Sequence, residues 1–176
     1  MKPFRRQRGS ALIEFTLVGI PVIFVVISTF EMSRGMWLYQ TLAHAAKQAT
    51  RYAVVRGENC VMYSNNCALE VPELAGVIEQ ASVGLNASRL QVSLMSTTRT
   101  ISGTLQDLKT NYAGVYWPTF AKGVTPRDDG GAKGQPVRVV LRYPLTSVLV
   151  MFWPGAGTSS IATVDLPASS AETIEF

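Results

Sequence analysis

The sequence has 176 residues, 47% of them hydrophobic and 16% charged, which suits one folded domain with one membrane element and excludes a disordered chain. Its net charge of +4 lies in the N-terminal tail, because four of the 16 Lys and Arg precede residue 9 and the other 12 balance the 12 Asp and Glu. Nucleic acid is therefore excluded as the main partner, since no basic stripe remains to follow a phosphate backbone. One histidine and two cysteines also leave little for a multi-ligand zinc site or for histidine-based catalysis.

A long apolar segment follows the basic tail. Residues 10–30 contain a single charged side chain, Glu14, and about 20 helical residues cover the roughly 30 Å hydrocarbon core of a bilayer. The segment therefore predicts a transmembrane helix. Positive charge precedes it, whereas Glu31 and Arg34 cancel just after it. The positive-inside rule then places the N terminus in the cytoplasm and the rest of the chain in a periplasm-like compartment.

Two other export signals fit this N terminus less well. A cleaved secretory signal needs an apolar region of only about 7 to 15 residues, followed closely by a small-residue cleavage site. The nearest A-x-A sequence begins at Ala43, well past the apolar segment. Arg5 and Arg6 form a twin-arginine pair, but polar residues stand where apolar ones should follow such a pair.

Glu14 is the anomaly of the apolar segment. A carboxylate within a spanning helix costs about 2.5 to 3.5 kcal/mol on insertion scales and needs a partner. Arg8 lies six residues earlier, which is a poor distance for a pair within one helix. Cleavage after Gly9 would give Ser10 a new α-ammonium, and Glu14 would become the fifth residue of the shortened chain. The missing cation would then be an N terminus, either its own or that of a neighbouring copy.

Residues 5–15, R-R-Q-R-G-S-A-L-I-E-F, resemble the class III signal of type IV pilins, with a short basic leader, Gly9 at the cleavage site, a small first residue at Ser10 and Glu14 at position five. Phe15 directly after the glutamate is similar to the Flp/Tad branch. Residues 30–40 and 45–57, F-E-M-S-R-G-M-W-L-Y-Q and A-A-K-Q-A-T-R-Y-A-V-V-R-G, resemble the TadE-like family of minor pilins, or pseudopilins, of the tight-adherence (Tad) pilus. A weaker similarity returns at residues 136–145, and the related TadF branch shares this architecture.

The resemblance implies an assembly component and not an enzyme. It implies that a prepilin peptidase cuts between Gly9 and Ser10, and that Glu14 and Phe15 act in processing or assembly. The implied partners are that peptidase, other pilin and pseudopilin subunits, the inner-membrane pilus assembly platform and membrane lipid. The implied location is the bacterial inner membrane, with a periplasmic C-terminal domain and a possible place in the surface pilus. The alternative is an unprocessed, signal-anchored protein with a periplasmic ligand-binding or regulatory domain, which would have no use for Glu14.

The helical pattern continues beyond the membrane segment. Apolar side chains recur at spacings of three and four from Leu38 to Tyr52, which predicts a helical stalk over residues 31–57 with Gly57 as its stop. Pro21 predicts a kink or a loosened turn in the membrane half. Small residues on the stalk allow close approach, either by neighbouring subunits or by the chain's own domain. These residues are Ala43, Ala45, Ala46, Ala49 and Ala53.

Residues 58–176 predict a small α+β domain. Residues 71–81 have the pattern of a short amphipathic helix, with Pro72 in its first turn and Gly84 as its stop. Alternating apolar residues predict strands at residues 90–94, 137–143 and 162–166. Together these elements predict an antiparallel sheet packed on the stalk, which agrees with the fold that the pilin resemblance implies. The other boundaries are a leader at 1–9, a transmembrane helix at 10–30 and the stalk at 31–57.

Two segments between the predicted strands leave alternatives open. The roughly forty residues after the first strand are long for a plain loop, which indicates a functional loop or unrecognised structure. Four aromatic residues there predict either a satellite core or a contact surface. They are Tyr112, Tyr116, Trp117 and Phe120. Residues 148–153 form an apolar run that is far too short to span a bilayer, which favours a buried edge over membrane dipping.

The sequence lacks the motifs of common catalytic sites. G-x-S-x-G, H-E-x-x-H, the phosphate-binding P-loop and the G-x-G-x-x-G fingerprint are all missing. Asp128, Asp129 and Gly130 resemble a fragment of a calcium loop without its ligand spacing, so a plain turn is favoured. We therefore expect no enzymatic activity and no cofactor.

Cys60 and Cys67 flank a polar turn in the compartment that is predicted to be oxidising, so we expect a disulfide between them. Two free buried thiols and a C-x6-C metal pair are the alternatives. Metal is disfavoured, because two thiolates do not close a zinc site and His44 is predicted far away on the stalk.

The predicted disulfide can be tested with a thiol reagent. Closing this short loop would add roughly 2 to 3 kcal/mol to the free energy of unfolding by the loop-closure argument. Alkylation of denatured, unreduced protein should modify neither Cys60 nor Cys67, and reduction should make both reactive. Two alkylated cysteines in the unreduced sample, read by mass spectrometry, would contradict the prediction.

Overall fold

The computed structural model describes residues 8–56, 69–118, 134–147 and 163–174. The elements, in chain order, are α1 (Arg8–Val54), α2 (Val71–Ala81), β1 (Gln91–Met95), β2 (Thr100–Thr104), α3 (Leu105–Thr110), β3 (Pro136–Thr146) and β4 (Thr163–Thr173). The strands form one antiparallel sheet in the order β2-β1-β3-β4. The predicted α+β architecture, a long N-terminal helix with a small antiparallel sheet, is confirmed.

α1 is one helix of 47 residues, about 70 Å long at 1.5 Å per residue. It continues through Pro21. It ends at Val54, before the predicted stop at Gly57, because the N–H of Arg56 donates to the Ala53 carbonyl at 3.0 Å and closes the last turn early. Residues 12–37 are called the proximal half of α1 below, and residues 38–54 the distal half.

The sheet and α2 pack on one face of the distal half. The side chains of Ala45, Ala46, Ala49 and Ala53 are fully buried there, and residues without long side chains let a neighbouring backbone approach closely. Four of the five alanines that the sequence singles out therefore face the chain's own domain. Ala43 differs, because it lies on the exposed face of the helix.

One buried polar side chain lies within this contact. The hydroxyl of Thr50 donates to the Ala46 carbonyl at 2.8 Å and lies 3.4 Å from the Ser170 carbonyl of β4. Its hydrogen-bonding capacity is therefore met without water, which keeps the face between α1 and β4 dry.

α2 has the predicted bounds, Val71–Ala81. Pro72 occupies its first turn, where a missing N–H costs nothing because that donor would have no helical partner. Leu74 and Ile78 are fully buried and fix α2 to the core, whereas Val77 is only half-buried.

α2 runs antiparallel to α1. Near its start, Glu73 pairs with Arg56 at 3.4 Å and accepts a hydrogen bond from the Tyr52 hydroxyl. Beyond its other end, a Cβ placed on Gly84 would lie 2.7 Å from Cη2 of Trp37. Gly84 also has a φ of 82°, so this turn against Trp37 requires glycine for both its space and its conformation.

Three prolines lie in the sheet where their backbone nitrogens face no neighbouring strand. The N–H of Ile174, just after β4, donates to the carbonyl of Gln135, just before β3. Because the N–H groups of a strand alternate between its two sides, every second residue of β4 donates toward β3, and the nitrogen of Pro167 lies on the opposite side. By the same alternation, the nitrogens of Pro136 and Pro144 lie on the side of β3 that faces β1. β1 pairs with β3 only between these two prolines and reaches neither of them. Beyond the end of β1, the Arg89 side chain donates a hydrogen bond to the Pro144 carbonyl at 3.2 Å. The sheet therefore loses no ladder hydrogen bond to proline.

β2 and α3 lie where the sequence predicts a long loop or unrecognised structure. α3 begins at a capping box, in which the Asp107 N–H donates to Thr104 Oγ1 at 3.1 Å and the Thr104 N–H donates to Asp107 Oδ2 at 3.2 Å. Hydrogen bonds from the Thr104 side chain and then its backbone hold the pKa of Asp107 below its ordinary value. Six residues are too few to show a helical period, so only this cap identifies α3.

Two of the aromatic residues after α3 belong to the core or pack against it. Trp117 is fully buried in the main core, and Tyr112 packs partly buried against it. Tyr116 forms a bridge with Glu70 just before α2. The core alternative therefore describes Trp117 and Tyr112, Tyr116 is half-buried, and Phe120 lies outside the described residues.

The last predicted strand is the start of a longer one. β4 spans Thr163–Thr173. Ala168 within it and Ile174 just after it are buried, which keeps the predicted alternation. Val164 is nevertheless 56% exposed, because the end of β4 extends past the core. Other predicted features lie outside the described residues, namely the Gly57 stop, the turn at 125–131 and the apolar run at 148–153.

Because the sheet packs on one face of α1, we expect the same substitution to change the free energy of unfolding differently at two alanines of this helix. Ala49→Leu adds volume to a fully buried position and should lower the free energy of unfolding by about 1 to 3 kcal/mol. Ala43→Leu, the same change on the exposed face, should leave it nearly unchanged. Urea unfolding of both variants in detergent, followed by near-ultraviolet circular dichroism, measures the difference. Equal effects of the two substitutions would argue against this packing.

Candidate membrane and assembly surface

The proximal half of α1 presents an apolar surface. No side chain from Leu12 to Trp37 is buried, and Leu38 is the first that is. The helix is long and apolar enough to cross a membrane, with a mean hydropathy of 2.2 and 0% burial in its most apolar window. Its exposed large hydrophobic residues include Leu12, Ile13, Phe15, Leu17, Val18, Ile20, Val22, Ile23, Phe24, Val25, Val26 and Phe30.

Hydroxyl groups in this surface bond to the helix itself. Thr16 Oγ1 donates to the Ile13 carbonyl at 3.0 Å, and Thr29 Oγ1 donates to the Val25 carbonyl at 2.8 Å. Ser33 Oγ donates to the Thr29 carbonyl at 2.9 Å. Such bonds let hydroxyl side chains enter hydrocarbon, because their polar atoms need no water. The surface is therefore suited to lipid or to another apolar helix.

The structure places the predicted processing residues at the start of this surface. Gly9 and Ser10 lie in the first turn of α1, Glu14 is exposed on the helix, and Phe15 is 77% exposed. Ser10 and Glu14 are four residues apart, which puts them on the same helical face about 6 Å apart along the axis. A cation at the nitrogen of Ser10 would lie one turn from the Glu14 carboxylate.

Charged groups return where the proximal half approaches the sheet. Arg34 Nη1 lies 3.6 Å from Glu31 Oε1 and donates to the Thr146 carbonyl at the end of β3 at 3.3 Å. The sequence identifies Arg34 only as a charge that sets topology. Its contact with β3 could not be found that way, because the two residues are 112 positions apart and only the fold brings them together.

Other predicted site features have no counterpart to report. Cys60 and Cys67 lie outside the described residues, so their disulfide stays a prediction. Within the described ranges, no group of three or more His, Cys, Asp or Glu could hold a metal ion. The apolar surface of the proximal half of α1 is therefore the candidate functional site.

The TadE-like protein family matches residues 9–51, a stretch that lies wholly within α1. The resemblance of this segment to TadE-like proteins is therefore confirmed, and it is consistent with a protein associated with the Tad pilus. Residues 136–145 and the rest of the sheet domain lie outside the match. No curated protein and no solved structure matches the chain.

Proposed function

We propose that this chain, with its TadE-like α1, is a minor pilin or pseudopilin of a Tad-type (type IVc) adhesion pilus. A prepilin peptidase cuts it after Gly9, and the peptidase substrate is not itself an enzyme. The mature protein stays in the inner membrane through the proximal half of α1, with the sheet domain in the periplasm. From there it is transferred into the fibre or helps to start it, in contact with other pilin subunits and the assembly platform.

One observation carries this proposal, the position of Glu14 on an otherwise apolar and exposed helical surface. A carboxylate there costs about 2.5 to 3.5 kcal/mol on insertion into lipid. Cleavage after Gly9 creates an α-ammonium at Ser10, with an ordinary pKa near 8, on the same helical face. Pairing of this cation with Glu14 of the same or a neighbouring subunit is strong in low dielectric and can set axial register.

The processing step predicts the mass of the mature protein. Expressed in a host with a functional prepilin peptidase, the chain should lose its first nine residues and begin at Ser10. Gly9→Leu should block the cut, because the cleavage site requires a small residue, and leave the full-length form in the membrane. Intact mass spectrometry of both proteins distinguishes these forms. Recovery of the unmodified N terminus from the wild-type strain would exclude the processing step.

Glu14→Ala should separate processing from assembly. Insertion becomes easier and the cleavage site is untouched, so membrane insertion and leader removal should be normal. Assembly should fail, because loss of one partner of a buried charge pair typically costs about 3 to 5 kcal/mol. The measurements are leader cleavage and the number of surface pili in the variant strain.

Two control variants make this result specific. Glu14→Asp keeps the carboxylate and should retain at least part of the piliation. Thr16→Ala removes a side chain that bonds only its own helix, so it should assemble normally. Normal piliation together with normal cleavage in Glu14→Ala would favour the signal-anchored alternative.

A further inference from the structure

The end of the sheet domain nearest the proximal half of α1 carries exposed apolar side chains. Val83 in the turn after α2 is 68% exposed, Val164 at the start of β4 is 56% exposed, and Trp37 of α1 is 50% exposed. We call this end the proximal pole. It consists of Arg34, Trp37, Val83, Gly84, Arg89 and Val164.

Contacts with α1 place these residues at one level along the helix. The turn at Gly84 touches the indole of Trp37. Leu145, the partner of Val164 in the sheet, lies beside Gly35, where a Cβ would be 3.5 Å from Leu145 Cδ2. The turn after α2 and the end of β3 therefore meet α1 within about one helical turn of each other, and β4 begins beside the end of β3.

This level coincides with the membrane surface if the proximal half spans the bilayer. An apolar segment that ends at Phe30 puts Glu31 at the boundary of the hydrocarbon core, and the headgroup layer of each leaflet adds about 5 to 7 Å, or three to five helical residues. Arg34 then lies within that layer. Trp37 follows about 10 Å beyond Phe30, and helical side chains lean toward the N terminus, which brings its indole back to the headgroups.

Charge at the pole is balanced. Arg34 pairs with Glu31, and Arg89 donates to Thr146 Oγ1 at 3.0 Å. Asp165 at the start of β4 is exposed nearby. Two cations and two carboxylates thus lie at this level among the described residues, so attraction to anionic lipid does not dominate. The apolar and aromatic groups remain, and tryptophan favours the boundary between hydrocarbon and water.

We propose that the proximal pole binds the phospholipid headgroup layer of the leaflet from which α1 emerges, with Trp37 and Val83 among the headgroups. The proposal rests on the membrane insertion of α1 in the proposed function. Contact on one side of the helix fixes the height and the tilt of the sheet domain relative to the bilayer. It also adds a contact that must break when the subunit leaves the membrane.

Photo-crosslinking in lipid vesicles tests this contact with the full chain. The photoreactive residue p-benzoylphenylalanine replaces Val83 in one variant and Val164 in another, both exposed positions that tolerate a large side chain. Thr98 is the matched control, because it is exposed and lies in the turn after β1 at the opposite end of the sheet. Phe24, 47% exposed in the proximal half, reports the insertion of α1. The vesicles contain phosphatidylcholine, with or without phosphatidylglycerol, and lipid adducts are read by intact mass.

The expected result is a lipid adduct at positions 24, 83 and 164, severalfold more than at position 98, and similar in both kinds of vesicle. Adducts at position 24 without adducts at 83 and 164 would overturn the headgroup contact and leave membrane insertion intact. A protein adduct in place of lipid at 83 would overturn it in favour of a subunit interface. Lack of a lipid adduct at position 24 would overturn the insertion itself, and with it both proposals.

Discussion

Close packing of the sheet on small residues of α1 is the interaction on which the other features depend. Ala46, Ala49 and Thr50 let the strands approach the helix, and the Thr50 hydroxyl leaves no unsatisfied polar atom there. Because the distal half is fixed in this way, β3 ends where Arg34 can reach it and α2 returns to Trp37. Larger side chains on this face would move the sheet outward and separate all of these contacts.

α1 is one continuous helix whose two halves have different surfaces. Its distal half buries a stripe of small and apolar side chains against the domain. Its proximal half exposes apolar side chains all round, and Thr16, Thr29 and Ser33 bond their hydroxyls to its own carbonyls. The change occurs between Trp37 and Leu38, within two turns of the charged residues Glu31 and Arg34. Glu14 is the exception to this division, because it is a charged side chain on the apolar surface of the proximal half.

Much of this architecture is predictable from the sequence, because its signals are local. The apolar segment is continuous in sequence, and α2 has both a proline in its first turn and a clear apolar stripe. β2 and α3 are not predictable in this way, because a five-residue strand and a six-residue helix are too short to show a period. Part of the candidate site is also predictable from the sequence, because Glu14 stands out there as a charge within an apolar segment. The pole at Trp37 requires contacts between residues far apart in the chain.

Pro167 has a consequence for how the domain behaves among its neighbours. β4 is the outer strand of the described sheet, and a strand in that position offers a row of backbone donors and acceptors to any extended chain that approaches it. Pro167 removes one donor from that row, because its nitrogen lies on the outer side. A second strand pairing along the full length of β4 would leave one acceptor unmatched. Crowded copies of the chain are thereby discouraged from joining edge to edge into β-aggregates through β4, while α1 remains free to associate.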